Sequence, residues 1–342
     1  MKNKIFLINE KNIINAGCVD PEMAFDVAQK SILSYAEGQI LFPDKISQIF
    51  NEETQDRINC LPATVVNEKV CGMKWVSVFP SNAARGIPNL SAVILLSSLE
   101  TGLPKAFLEA TICSNLRTAA VSAVAAKYLA PKNVQCVGFV GAGQQARYHF
   151  IMLKYLFPQI KRCMISSRTS ASEKAFADEF TTKYPDVEFV RCNGDYKEAV
   201  YDCDVLVSAI SGQAPIIKSD WIQKGMLYLH IGGWEDEYAV PLKADKIVCD
   251  NWESVKHRTQ TISRLYKSGE LSDEDIYCDI DCLVSGKKPG RENNDEFIYF
   301  NAVGLSYVDV ALANRMYNVC LSKDEGMFFE LRDDEESASN ER

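Results

Sequence analysis

The sequence predicts an α/β protein in which a Rossmann-type, doubly wound parallel sheet is accompanied by a discontinuous α+β substrate and dimerisation domain. Three observations carry this. Apolar runs at 134–140, 163–167, 187–190, 205–210, 226–231 and 246–249 alternate with helical or loop segments, the rhythm of a parallel sheet covered on both faces. The first of these runs ends in Gly141-Ala142-Gly143-Gln144-Gln145-Ala146, a Gly-x-Gly-x-x-Ala turn opening a helix. The first 115 residues hold too few helical stretches to belong to that sheet.

Element by element, Asp20-Pro21-Glu22 is a helix start with a capping carboxylate and proline in the first turn, and Gly38 is its stop, so a helix is expected over about 21–37. β-Branched and apolar runs at 58–66, 70–79 and 90–98, with a further strand at 105–109 after the turn Glu100-Thr101-Gly102-Leu103-Pro104, are expected to form one antiparallel sheet. An alanine-rich stretch over 116–129 has helical spacing and stops at Pro131. After the βα alternation, a last helix is expected over about 307–320. This gives a substrate and dimerisation domain of 1–118 with 305–330, a nucleotide domain of 119–304, and an acidic flexible tail of 331–342.

With 342 residues, 47 % of them hydrophobic, the chain is long enough for two buried cores, and no apolar run approaches the length of a membrane span. The start, Met1 to Ile8, is too short and strand-like for a signal peptide, so a cytoplasmic protein is expected. A formal charge of -9 with no basic cluster argues against nucleic acid. The twelve cysteines are scattered through apolar patterns and are expected to be reduced thiols. Cys278 and Cys282 lie four apart, but no other Cys or His pair completes a zinc set, so no metal is expected.

The glycine turn is the strongest local signal. Gly141 permits the tight turn, Gly143 lets a pyrophosphate approach the backbone, Ala146 allows close helix–strand packing, and the helix start offers N–H groups to the phosphates. At the end of the next strand stand Ser166-Ser167-Arg168-Thr169, without an acid to take a ribose diol. This favours NADP over NAD, with Ser167, Arg168 and Thr169 around a 2′-phosphate; the other reading has Arg168 stacked on adenine or solvated. Outside this domain, Lys74 in Cys71-Gly72-Met73-Lys74-Trp75 and Arg117 in Ser114-Asn115-Leu116-Arg117 are cations in apolar surroundings. They suit either a substrate carboxylate in an interdomain cleft or an internal salt bridge. Of the three histidines, His230 alone is a candidate for the cleft, since it precedes Gly232-Gly233; His149 is expected to be surface or packing.

Taken together, Gly72-Met73-Lys74-Trp75, Leu116-Arg117-Thr118-Ala119-Ala120, Gly141-Ala142-Gly143-Gln144 and Val303-Gly304 with Asp309 resemble the ornithine cyclodeaminase/mu-crystallin family, in order and spacing over about residues 5–320. The resemblance implies the split substrate domain, a homodimer built through its sheet, carboxylate binding by Lys74 and Arg117, and nucleotide contacts from Thr118 and Gly304. Cyclodeaminases of this family carry an aspartate after Gly-Gly that handles protons at the amine. Here Trp234 takes its place, followed by Glu235 and Asp236, which puts ornithine cyclodeamination in doubt and makes those two acids the expected proton carriers.

Asp56-Arg57-Ile58, Asp250-Asn251-Trp252 and Pro289-Gly290-Arg291-Glu292-Asn293-Asn294-Asp295-Glu296 are similar to the branch that makes 2,3-diaminopropionate for siderophores and antibiotics. That likeness implies oxidation of N-(2-amino-2-carboxyethyl)-L-glutamate to an imine that hydrolyses to 2-oxoglutarate and 2,3-diaminopropionate. Lys74 would act at the reacting centre, and Lys45, Arg57, Arg117 and His230 would help to hold a small amino-acid-derived polyanion. Against the local NADP reading, the branch itself implies NAD. The rival readings are an amino-acid dehydrogenase, a ketimine reductase or a cyclodeaminase, and, in another class, a non-catalytic NADP(H)-dependent binding protein of the mu-crystallin kind.

Overall fold

A computed structural model describes residues 3–210 and 212–332. They divide into two compact units: one is built from the described residues up to Arg117 together with those from Leu305 onward, the other runs from Thr118 to Gly304.

The first unit is an eight-stranded sheet. Antiparallel neighbours Asp56–Val65, Val70–Val78, Leu90–Ser98 and Pro104–Glu109 form its centre, as the apolar runs predict. Two further strands join this antiparallel centre at one edge. Asn3–Ile8 pairs parallel to Pro104–Glu109 on one side and antiparallel to Met327–Arg332 on the other. Leu331 and Arg332, read from sequence as the start of the tail, therefore close a strand; the rest of the expected tail lies outside the described residues. Alternation decides which face is covered. Val70, Gly72, Lys74 and Val76 point to the helix Ser306–Ser322, and a Cβ on Gly72 would meet Val310 at 3.3 Å. On the opposite face, Trp75 and Phe107 remain 36 % and 40 % exposed. The helix Pro21–Ala36 starts where predicted, with the Asp20 carboxylate accepting the Glu22 N–H at 2.9 Å.

The second unit is a parallel eight-stranded sheet. Its order is Glu188–Arg191, Arg162–Ser166, Cys136–Val140, Val205–Ser208, Leu227–His230, Ile298–Asn301, Lys246–Cys249 and Cys278–Asp279. The direction of strand succession reverses between Cys136–Val140 and Val205–Ser208, the switch point at which doubly wound sheets bind ligands beyond their carboxyl ends. Ile298–Asn301 lies in the middle of the sheet, fully buried, although four residues after a long polar loop gave no strand signal. The helix carrying Arg117 is longer than expected, Thr111–Leu129, because Ser114 and Asn115 continue it instead of preceding it. Every described cysteine is free, nine of the twelve are buried, and no helix among the described residues is long and apolar enough to cross a membrane.

Candidate active site

In the first unit the two predicted cations meet on one carboxylate. Lys74 Nζ and Arg117 Nε each donate to Asp309 Oδ1 at 2.8 Å, and Lys74 Nζ also donates to Ser114 Oγ at 3.1 Å. Residue exposures are 2 % for Lys74, 7 % for Arg117 and 0 % for Asp309. Three different elements assemble this cluster: the strand Val70–Val78, the helix Thr111–Leu129 and the helix Ser306–Ser322. Asp309 Oδ2 is buried without a hydrogen-bond partner among the described residues. Burial, with the neighbouring Arg117 guanidinium second, pushes the Lys74 ammonium down to about 8 against the pull of Asp309. The two readings of Lys74 and Arg117 thus converge: they do form an internal salt bridge, but two cations share one anion, so the cluster retains a positive charge. Asp309 lies in the Val303-Gly304 to Asp309 motif, and the structure adds it to the site. Its signal was available, a lone carboxylate inside the apolar helical run Tyr307-Val308-Asp309-Val310-Ala311.

Lys45 and Arg57 are half-buried in the same unit. Arg57 Nη1 donates to the Gln55 carbonyl at 2.8 Å, and burial lowers its guanidinium.

In the second unit the glycine turn has the expected form. Gly141 has φ +109°, a conformation open to glycine, and a Cβ there would lie 2.7 Å from the Ala209 carbonyl. Ala142 is buried beneath the turn. Gly143 is the N-cap of the helix Gln144–Leu156 and offers no side-chain cap, so the helix start, opening with Gln144 and Gln145, carries no acceptor of its own at the cap. A Cβ on Gly143 would meet nothing within 4 Å, so the turn faces open space suited to a pyrophosphate. Gly304, at φ +102°, and Val303 donate their N–H groups to Asp250 Oδ2 at 2.7 and 2.9 Å. Thr118 is half-buried next to Arg117 on the helix Thr111–Leu129.

At the next strand end, Ser167 Oγ donates to the Thr169 carbonyl at 2.9 Å and Thr169 Oγ1 caps the helix Ser170–Thr181, accepting the Ser172 N–H at 3.3 Å. Arg168 is exposed. An acid that the sequence window did not contain does return to this point: Glu173, fully buried, accepts the N–H groups of Ser167, Asn193 and Gly194 at 2.8, 2.8 and 2.9 Å. Both its oxygens are thereby occupied by backbone N–H groups. His149 is a packing residue, buried between the Gln145 carbonyl at 2.7 Å and Ser122 Oγ at 2.9 Å.

The two acids expected to carry protons and the candidate histidine are found together, inside the second unit. Glu235, Asp236 and His230 are all 0 % exposed. Glu235 accepts from Ser208 Oγ and, at 2.9 Å, from the Gly233 N–H; Asp236 accepts from Thr261 Oγ1 and, at 3.0 Å, from Tyr299 Oη. His230 Nε2 lies 3.3 Å from Asp236 Oδ1 and 3.8 Å from Glu235 Oε1. All three side chains are enclosed by their own unit, as closely as Lys74 and Asp309 are in the first. Ser208, Tyr228, Thr261 and Tyr299, which complete the cluster, carry no local motif, because they come together only through the register of the parallel strands.

A glycine turn at the carboxyl end of a strand beside the switch point defines a dinucleotide-binding domain. Comparison with known proteins agrees. The chain belongs to the ornithine cyclodeaminase/mu-crystallin family, which it matches over residues 14–324. It is 29 % identical to the N-((2S)-2-amino-2-carboxyethyl)-L-glutamate dehydrogenase of Staphylococcus aureus, over 97 % of this chain and 100 % of that one. The structure of the Thermococcus litoralis Δ1-pyrroline-2-carboxylate reductase in complex with NADH and L-proline superposes with a TM-score of 0.90 at 27 % identity, covering 94 % of this chain and 99 % of that one. An archaeal alanine dehydrogenase dimer with bound NAD superposes with a TM-score of 0.87 at 29 % identity, covering 96 % and 100 %. The chain is an NAD(P)-dependent oxidoreductase of this family.

Proposed function

We propose that the enzyme oxidises the secondary amine of N-(2-amino-2-carboxyethyl)-L-glutamate to an imine, whose hydrolysis releases 2-oxoglutarate and L-2,3-diaminopropionate. The observation that carries this reading is the match to the Staphylococcus aureus dehydrogenase along essentially the whole of both chains. The buried cluster supports it, because two cations on one aspartate leave a positive charge for a substrate carboxylate, Arg117 offering a planar fork and Lys74 a point charge. Bound at the glycine turn, the nicotinamide nucleotide supplies the hydride acceptor. Lys74, whose ammonium is held down to about 8, can hold a proton at neutral pH and release it slightly above, which suits it to the proton transfers at the amine nitrogen. Asp309 holds Lys74 and Arg117 in place. The uncovered face of the first unit's sheet, with Trp75 and Phe107, is the surface through which we expect a homodimer.

A panel of amino acids and amino-acid conjugates, followed by nicotinamide absorbance, tests this. The conjugate is expected to be oxidised with release of 2-oxoglutarate. Turnover of alanine or proline without turnover of the conjugate would replace the proposal by a simple amino-acid dehydrogenase, a reading favoured by the two solved relatives. Nucleotide binding without turnover of any member would make the chain a binding protein.

For the nucleotide we propose a preference for NADP(H), supported by the exposed Arg168 and by the inward turn of Glu173. A charge-assisted hydrogen bond from Arg168 to the 2′-phosphate contributes about 1.5–3 kcal/mol, or roughly 10- to 100-fold in affinity. Titration with both reduced nucleotides should therefore show NADPH binding tighter, and Arg168→Ala should erase the difference. Equal or tighter NADH binding by the wild type, in line with the nucleotides bound by the two solved relatives, would assign Arg168 to adenine stacking or to solvent.

A further inference from the structure

We propose that His230 is a positioning residue for the nucleotide: its imidazolium, between the buried carboxylates of Asp236 and Glu235, fixes the Gly232–Trp234 turn and the neighbouring Ser208–Ala209 segment against the glycine turn, and neither acid exchanges protons with substrate. The inference rests on the chain's dependence on a nicotinamide nucleotide and is independent of which amine it oxidises.

Strand register places the parts side by side. Val140, Ser208, His230 and Asn301 are consecutive partners across four adjacent parallel strands, all at the carboxyl ends, and Val140 immediately precedes Gly141. From His230 the contacts run through Glu235 to Ser208, and the next carbonyl, that of Ala209, is the group that leaves no room for a Cβ on Gly141. On the other side, the Gln260 side chain donates to the Gly232 carbonyl at 2.8 Å and to the Ala302 carbonyl at 3.0 Å, while Asn301 Nδ2 donates to Gln260 Oε1 at 2.8 Å. A Cβ on Gly232 would overlap the Glu235 carboxylate, so the turn is folded directly over that acid.

All four carboxylate oxygens already accept a hydrogen bond, from Ser208, Gly233, Thr261 and Tyr299, and none is exposed. A proton carrier needs a path to the reacting atom, and these acids have their lone pairs directed into the core. What the cluster lacks is charge balance. Two carboxylates without a cation would place two negative charges in an apolar interior, and the groups packed around them, Tyr228, Tyr299, Ser208, Thr261, Asn301 and Gln260, are neutral. His230 is the one basic side chain that faces them among the described residues. Burial alone would lower its pKa, but Asp236 and then Glu235 outweigh that and raise it to about 9. The ring is held between Tyr299, stacked at 5.5 Å, and Tyr228, edge-on at 5.8 Å.

The test is fluorescence titration of the full chain with NADPH and NADH, without amino substrate, at pH 7.5 and pH 10. Wild-type affinity is expected to fall roughly 10- to 100-fold over this interval, as loss of the imidazolium releases the turn. His230→Gln should bind about as weakly at pH 7.5 as the wild type does at pH 10, with no further pH dependence. His230→Gln/Asp236→Asn restores the single net negative charge of the wild-type cluster and should recover most of the affinity; a merely space-filling role for His230 would not be rescued in this way. The wild-type series is repeated in Lys74→Met, so that titration of Lys74, at about 8, cannot produce the effect. Wild-type affinity unchanged between the two pH values, or a double variant no better than His230→Gln, would overturn the proposal. Should His230→Gln not fold, the wild-type pH series and the charge-balanced double variant decide it.

Discussion

Lys74→Met turns over roughly 30- to 900-fold more slowly than the wild type, the equivalent of about 2–4 kcal/mol of transition-state binding, and yet is the more stable protein at pH 7. The loss of activity follows from removing a charge and a proton carrier from the carboxylate-binding cluster. The gain in stability follows from its electrostatics. An ammonium at 2 % exposure whose pKa is held at about 8, against an ordinary 10.5, is charged in a place that disfavours its charge. The gap of roughly 2.5 units corresponds to about 3 kcal/mol. Because the folded pKa lies below the unfolded one, the cost is fully present below pH 8 and is relieved as pH rises from about 8 to 10.5. Denaturant titrations should therefore show the variant's advantage at pH 7 and its disappearance by about pH 10.5. A variant less stable than the wild type at pH 7 would refute this account, and unaltered kinetics would remove Lys74 from the site.

Asp309→Asn is expected to be the most damaging single substitution in the first unit. The carboxylate is the shared acceptor for Lys74 and Arg117, and an amide in its place leaves two buried cations 2.8 Å from a neutral group. Breaking a buried ion pair from one side costs about 3–5 kcal/mol, most of it the uncompensated charge that remains. Adding Lys74→Met should recover a large part of that loss, giving a coupling energy in a double-mutant cycle well above the ~0.5 kcal/mol seen between independent sites. A destabilisation below about 0.5 kcal/mol for Asp309→Asn would show that solvation by water, and not Asp309, compensates the two buried cations.

Most of what positions the site could be read from the chain, because periodicity and turn chemistry are local. The strands Leu90–Ser98 and Lys246–Cys249, the capped start at Asp20-Pro21 and the glycine turn at 141–146 all declare themselves within ten residues. Lys74 and Arg117 were legible as cations out of place, although their shared partner, far along the chain, was not paired with them. The acids at 235 and 236 show where local reading stops. Their residue types fit proton transfer, but whether a carboxylate faces substrate or core depends on Ser208, Thr261 and Tyr299, which reach it only through tertiary register. In the same way, the absence of an acid at 166–169 missed Glu173, which folds back one helical turn later.

The first unit's dependence on both ends of the chain has a consequence for synthesis on the ribosome. The segment 118–304 is continuous and can fold once it has emerged, but the first unit lacks the helix Ser306–Ser322 and the strand Met327–Arg332 until residues 306–332 have followed it. Until then Lys74 and Arg117 have no Asp309, and the sheet face of Val70, Gly72 and Val76 has no cover. The order of appearance is therefore inverted relative to the order of completion: the first unit starts before the second and is finished after it, and during that interval its bare sheet face is open to aggregation or to a chaperone.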